Sequence, residues 1–313
     1  MGNIATREAY GKALVELGER YKDIVVLDAD LSKSTKTYDF KVKFPNRFFN
    51  IGISEQDLIG TAAGFATCGK IPFVSTFAMF ATGRAFEQIR NSVAYPNLNV
   101  KIAATHAGIT LGEDGASHQA IEDVAAMRAI PGMTIINPAD GLSTKKAVEA
   151  VVNHYGPTYI RLGRLGVPQV YKDDMEFKIG KGIVLREGKD VSIIAAGFMV
   201  HQALEAADRL KEAGIEAEVI DMHTIKPIDK GLLIETAKKT GAIITAEEHN
   251  IIGGLGGAVA EVLCEEYPVP MARVGIKDTF GQSGKPMELV ELYGIGSKDI
   301  VSAVNSVIER DFI

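Results

Sequence analysis

PFVSTFAMFATGRAFEQIRNSVAYPNLNVKIAAT, residues 72–105, shows the repeating unit of this chain in its plainest form. A short run of β-branched and aromatic residues, Pro72–Phe77, is followed by a segment with helical spacing, Ala81–Val93. A second apolar run, Val100–Thr105, closes the unit. Two strands that are to lie parallel need a crossover of about a dozen residues, and a helix supplies it. The same alternation runs outward in both directions. Apolar runs fall at Asp23–Ala29, Met133–Asn137 and Thr158–Arg161, with helical patterns at Thr6–Arg20, Ser54–Lys70, Ile121–Ala129 and Ala139–His154. The expected fold class is therefore α/β, built from right-handed βαβ units with mostly parallel sheets flanked by helices.

The rhythm breaks between Tyr171 and Asp190, where MEFKIGKGIVLREGKD is charged, Gly-punctuated and alternating, and reads as a hairpin-like connector. It then resumes, with strands expected at Val191–Ala196, Ala217–Met222, Ala242–Glu247 and Met271–Ile276. Helices are expected at His201–Ala213, Lys230–Lys239, Gly254–Tyr267 and Lys298–Arg310. Two consecutive domains follow, at 1–170 and 191–313, joined by a linker at 171–190. A length of 313 residues suits two domains of roughly 150 residues each.

Composition narrows the function. Hydrophobic residues make up 46% and charged residues 24%, an ordinary globular balance that excludes disorder and fibre. With 34 basic against 40 acidic residues the net charge is −6, and no basic cluster exists to hold nucleic acid or an anionic membrane. Nowhere do 18 consecutive apolar residues occur, so no membrane span is expected. Cys68 and Cys264 are the only cysteines, which argues against a disulfide framework and a thiolate metal site. The start, MGNIATREAYGKAL, lacks the apolar core of a signal peptide, so a reducing, cytoplasmic setting is expected.

Three segments can carry chemistry. In NIGISEQD, residues 50–57, Ser54 sits where a helix N-cap belongs, with Asp57 three residues on as an approximate capping box. Glu55 then lies in the first turn, at the carboxyl end of a strand at Phe48–Ile51, where ligands of parallel sheets bind; the plain alternative is a glutamate that only complements the helix dipole. THAGITLGEDGASHQAIED, residues 105–123, gathers two histidines, three glycines and four carboxylates after an apolar strand. Its glycines suggest backbone turned around a ligand, against the plainer reading of a polar surface loop. His106, Asp114 and His118 could ligate a metal, but spacings of eight and four match no standard zinc pattern, so no metal ligand is assigned. In STFAMFATGRAFEQIR, residues 75–90, Phe77 and Phe80 stand at helical spacing, which by itself signals core. GGLGG at 253–257 lacks dinucleotide spacing and is read as close helix–sheet packing, and His201, His223 and His249 as structural.

Taken in order, ATREAYGKAL, DADLSKST, FFNIGISEQDLIGTAAGFA, STFAMF, THAGITLGEDGASHQAIEDVAAMRAIPGMTIINPAD and PTYIRLGR resemble the C-terminal half of the transketolase family over nearly the whole chain. The resemblance implies a pyrimidine-binding domain followed by a transketolase C-terminal domain. It also implies thiamine diphosphate as cofactor and transfer of a two-carbon ketol unit from a ketose phosphate to an aldose phosphate. On it, Glu55 matches the glutamate that hydrogen-bonds N1′ of the cofactor's aminopyrimidine, and Phe77 and Phe80 match the aromatic wall against that ring. His118 matches a catalytic histidine near the donor's carbonyl and His106 one nearer its phosphate. Asp114 matches the aspartate that reads the sugar's hydroxyl configuration, and Arg7, Ser34 and Arg164 match the holders of the terminal phosphate. Arg161 receives no role. Gly83 stands where many transketolases carry a third aromatic, and RAFEQ at 84–88 with HAG at 106–108 also resemble deoxyxylulose-phosphate synthases.

In this family the diphosphate and its Mg²⁺ are held by another α/β domain with a Gly-Asp-Gly signature. That signature does not occur in this chain. The expectation is a C-terminal subunit of a split transketolase, completed by a partner subunit carrying the diphosphate- and Mg²⁺-binding domain in an α₂β₂ heterotetramer. Alternatives are a deoxyxylulose-phosphate synthase-like subunit, a 2-oxo-acid dehydrogenase β-subunit and a catalytically silent binding paralogue.

Overall fold

A computed structural model describes residues 2–309. Its strands are β1 (Ile4–Ala5), β2 (Ile24–Asp28), β3 (Phe48–Asn50), β4 (Ile71–Phe77), β5 (Lys101–Thr105), β6 (Thr134–Ile136) and β7 (Thr158–Arg161). They continue with β8 (Gly166–Val167), β9 (Ile183–Arg186), β10 (Val191–Ala195), β11 (Ala217–Asp221), β12 (Thr224–Lys226), β13 (Ile243–Asn250) and β14 (Met271–Ile276). A seven-stranded sheet has the order β12-β6-β7-β5-β4-β2-β3 and a five-stranded sheet the order β14-β13-β10-β11-β9. Strands β2 to β7 pair in parallel, as do β10, β11, β13 and β14. β2 and β5 are buried at every position, as expected of strands covered by helices on both faces.

Four features depart from the sequence reading. The connector is not a hairpin: β9 leaves it to pair antiparallel with β11 at the edge of the second sheet, so 183–186 belong to that sheet. β12 has no periodic signature, yet it crosses to the first sheet and pairs antiparallel with β6. The helix expected at Ala81–Val93 is broken into wide, π-type turns at Phe80–Arg84 and Ile89–Ala94 around a short α-helical turn at Phe86–Gln88. Gly83 sits inside the first of them, where a glycine holds a regular helix least well. Ser54 does occupy the N-cap of the helix Glu55–Thr67 but makes no side-chain cap bond, and Asp57 accepts instead from the Thr61 hydroxyl at 3.1 Å. The expected capping box is therefore absent. The last helix spans Ser297–Ile308, and the expected end at Arg310 lies outside the described residues.

Small elements aim the site. β1 and β8 form an antiparallel clip that sets the start of the helix Thr6–Arg20 against the segment after β7. The Gly163 amide donates to Thr6 Oγ1 at 2.8 Å within that contact. The same helix lies against Lys36 because Gly11 has no side chain: a Cβ there would fall 2.3 Å from the Lys36 carbonyl oxygen. Both contacts draw residues from opposite ends of the domain to the carboxyl edge of the sheet.

Candidate active site

Glu55 opens a helix after β3, Phe77 ends β4, His106 follows β5 and Arg164 follows β7, so the site forms at the carboxyl ends of parallel strands. Glu55 is 4% exposed, accepts from the Thr76 hydroxyl at 3.3 Å, and pairs with Arg84 Nη1 at 3.3 Å. The Arg84 guanidinium lies over the Phe80 ring at 4.1 Å. Phe80 is near-parallel to Phe77, centroids 5.9 Å apart, and meets His118 edge-on at 5.1 Å. Phe77 in turn stacks on His106 at 3.9 Å. Arg7 Nη1 then reaches His106 Nε2 at 3.0 Å and the Ser34 carbonyl oxygen at 2.9 Å. One chain of contacts thus joins Glu55, Arg84, Phe80, Phe77, His118, His106, Arg7 and Ser34.

The state of His106 follows from its partners. A guanidinium can only donate, so Nε2 accepts from Arg7, and Nδ1 carries the proton and donates to Thr105 Oγ1 at 2.8 Å. Burial, then the charges of Arg7 and Arg164, push its pKa down to about 3, so the ring is neutral. Its backbone is left-handed, φ 60°, a strained conformation of the kind found at binding sites. Arg7 is lowered by burial and then by Arg164. Arg164 donates to the Leu111 carbonyl at 2.5 Å and to Glu113 at 2.9 Å, which anchors it to the same loop.

Two expected residues enter differently. Ser34 meets Arg7 through its carbonyl, held by the buried Asp28 carboxylate, which accepts from the Leu31 amide at 2.6 Å and the Thr35 hydroxyl at 2.6 Å. Asp114 is exposed, and among the described residues it makes no side-chain hydrogen bond to the others of the cluster. The glycine loop is not a plain surface loop. A Cβ at Gly108, φ 81°, would fall 2.2 Å from the Glu248 carboxylate, and one at Gly115 would fall 2.5 Å from Ser283 Oγ. The loop is pressed against the second half of the chain.

Sequence reasoning missed the residues that hold this contact. Arg161 is 4% exposed and pairs with the buried Asp123 through Nε at 2.8 Å and Nη2 at 3.1 Å. The same Nη2 donates to the Glu248 carbonyl at 2.9 Å and the Ala120 carbonyl at 3.2 Å. Glu248 Oε1 accepts from the Thr110 amide at 2.7 Å. Only the buried strand position of a charged Arg161 hinted at this. GGLGG packs closely, as expected: Glu247 accepts from the amides of Leu255 and Gly256, and so fills the helix N-terminus itself. His249 bridges the two halves, accepting from the Ala125 amide at 3.3 Å, and His223 stacks on Phe177 at 4.0 Å.

The arrangement offers three surfaces side by side: a buried carboxylate, an aromatic wall and a pair of arginines with a neutral histidine. A flat heterocycle with edge nitrogens fits the first two, since the flat Arg84 fork already lies on Phe80 and reaches Glu55. The arginine pair suits an anionic ester.

The chain is similar to known proteins over nearly its whole length. Residues 2–169 match the family described as Transketolase, pyrimidine binding domain, and residues 180–300 match Transketolase, C-terminal domain. The chain is 51% identical over 308 residues to the "Putative transketolase C-terminal section" of Methanocaldococcus jannaschii, covering 97% of this chain and 96% of that protein. It is 44% identical over 304 residues to a 6-deoxy-6-sulfo-D-fructose transketolase subunit of a Clostridium species, covering 97% and 94%. It is 41% identical to the transketolase of Rattus norvegicus over 98% of this chain but only 49% of that protein. Among solved structures, "Split gene transketolase, inactive beta4 tetramer" superposes with a TM-score of 0.91 at 59% identity, covering 98% and 99% of the two chains. No helix among the described residues is long and apolar enough to cross a membrane.

Proposed function

The chain belongs to the transketolase family, and from that premise we propose that it is the C-terminal subunit of a split, thiamine diphosphate-dependent transketolase. It moves a two-carbon ketol unit from a ketose phosphate to an aldose phosphate, together with a partner subunit that holds the diphosphate and Mg²⁺ in an α₂β₂ assembly. The observation that carries the reading is the buried Glu55 carboxylate bridged by Arg84 to an aromatic wall of Phe80 and Phe77, which continues through His106 to Arg7. The cofactor, when bound, supplies the electron sink, and the protein supplies orientation and proton traffic.

Each residue then has a task. Glu55 holds the proton at pyrimidine N1′, and Phe77 and Phe80 fix the plane of the ring. His118, at the edge of Phe80, faces the reacting end of the sugar and exchanges protons with its hydroxyl and carbonyl oxygens. Arg7 and Arg164 hold the terminal phosphate by charge-assisted bonds, with His106 between Arg7 and the wall. Asp114, exposed on the loop, meets a sugar hydroxyl in this reading.

A relative named for a sulfonated sugar makes the terminal anion the natural variable to test. The experiment is to purify the tagged chain with and without its companion and assay ketol transfer from ketose phosphates and from a sulfonated ketose. Transfer is expected only with the companion, thiamine diphosphate and Mg²⁺ all present. Full activity of the chain alone contradicts the split reading, and transfer only from pyruvate favours the synthase-like alternative.

A further inference from the structure

The Glu55–Phe80 bay is already engaged by a side chain of the chain itself. Arg84 Nη1 lies 3.3 Å from Glu55 Oε2 while its guanidinium carbon stands 4.1 Å from the Phe80 centroid. A guanidinium is flat and delocalised, with N–H donors around its edge and a face that stacks on aromatic rings. An aminopyrimidine engages the same two partners in the same way, by its face on an aromatic ring and by its edge nitrogens on a carboxylate. Both groups cannot hold Glu55 Oε2 and the Phe80 face at once.

We propose that Arg84 is a built-in surrogate for the pyrimidine, closing the bay of the free subunit and swinging out when the cofactor binds. The inference rests on the thiamine diphosphate reading above. Mobility is divided between the partners in the sense this requires. The Glu55 side chain is 4% exposed and cannot move far, whereas that of Arg84 is 51% exposed and has solvent to move into. Arg84 closes the wide turn Phe80–Arg84, which places it four residues beyond Phe80 and on the same side of the helical path. Gly83 precedes it, and a Cβ there would meet only the end of the flexible Met79 side chain, at 2.9 Å. Thr76 still donates to Glu55 Oε1 at 3.3 Å, so the carboxylate keeps its orientation when Arg84 leaves.

The latch is weak by design of its chemistry. A half-exposed ion pair and an exposed cation–π contact are each worth little, so Arg84 lowers apparent affinity without blocking entry. Apparent affinity falls by the fraction of chains with the bay open, which sets the expected effect at roughly two- to ten-fold.

The test measures binding rather than turnover. Equilibrium dialysis of thiamine diphosphate with Mg²⁺ is run on the companion-containing complex, for wild type, Arg84→Ala and Arg84→Met. Saturation-transfer NMR of thiamine is run on the full chain by itself, which needs no companion. Arg84→Met keeps the aliphatic stem, so it reports the loss of the fork even where alanine perturbs folding. Both variants are expected to bind both probes about two- to ten-fold more tightly than wild type. Unchanged or weaker binding by the variants overturns the surrogate role and makes Arg84 a neutral or supporting part of the wall. Absence of thiamine diphosphate binding to the wild-type and variant complexes alike overturns the cofactor reading, and this inference with it.

Discussion

Replacing Arg161 with methionine removes one of the side chains that pin the two halves of the molecule together, and the structure sets the scale of the loss. Arg161 makes two bonds to Asp123, one to the Ala120 carbonyl on the site loop and one to the Glu248 carbonyl from the second sheet. Asp123 is fully buried, so methionine leaves its carboxylate without its counter-charge. The carboxyl keeps only the Tyr159 hydroxyl, at 2.6 Å, as a compensating donor. Burial alone would raise the Asp123 pKa, and it is Arg161 that holds it below the usual range. Breaking one partner out of such a pair costs about 3–5 kcal/mol. For a chain of this size a loss of that order lowers Tm by roughly 10 °C. Thermal unfolding followed by circular dichroism reads it directly. The double variant Arg161→Met/Asp123→Asn removes both charges and is expected to recover most of the loss. A single variant within about 1 kcal/mol of wild type, or a double variant no more stable than the single one, refutes the uncompensated-charge argument.

Two further outcomes are expected. Asp221 is fully buried, bonded by the Tyr171 hydroxyl at 2.6 Å, and burial pushes its pKa up to about 7. A carboxyl raised in the fold favours the protonated state, so its contribution is complete below the unfolded pKa near 4 and is lost as pH rises through about 7. Asp221→Asn should therefore flatten the fall in Tm between about pH 4 and 7, and an unaltered profile would show that another group sets it. Arg7→Met removes one guanidinium from the anion site and should raise KM for phosphorylated ketoses about ten- to a hundred-fold while sparing an unphosphorylated ketose. Equal effects on both substrates would mean that Arg7 acts by holding His106 instead.

The alternation of strands and helices was legible because β2, β4, β5 and β7 are short apolar runs between long amphipathic ones, and local periodicity reports that directly. Glu55, Phe77, Phe80 and His106 were singled out by the family resemblance, because position and residue type alone read Glu55 equally as a helix-dipole residue and the two phenylalanines as core. Arg161, Asp123 and Glu248 were not. Their partnership joins residues 38 and 87 positions apart, and no local pattern encodes a buried ion pair. β12 is three residues long, too short to show a period, and it is a strand only because β6 offers an open edge. The glycines of the site loop announced an unusual backbone, but what they make room for, Glu248 and Ser283, comes from another part of the chain. Ser54 had a capping position and not the geometry, since its backbone turns with ψ at 72° and leaves the hydroxyl unused.

The central claim is that a buried carboxylate at the head of one helix is the catalytic group this chain brings to a shared active site. Turnover of the companion-containing complex with Glu55→Gln tests it most directly, measured beside the assembly state of the same sample. Glutamine keeps the size and the hydrogen bond from Thr76 and loses the acid–base function. The expected result is an intact complex whose ketol transfer falls by about a hundred-fold or more. An intact complex that turns over at the wild-type rate would contradict it.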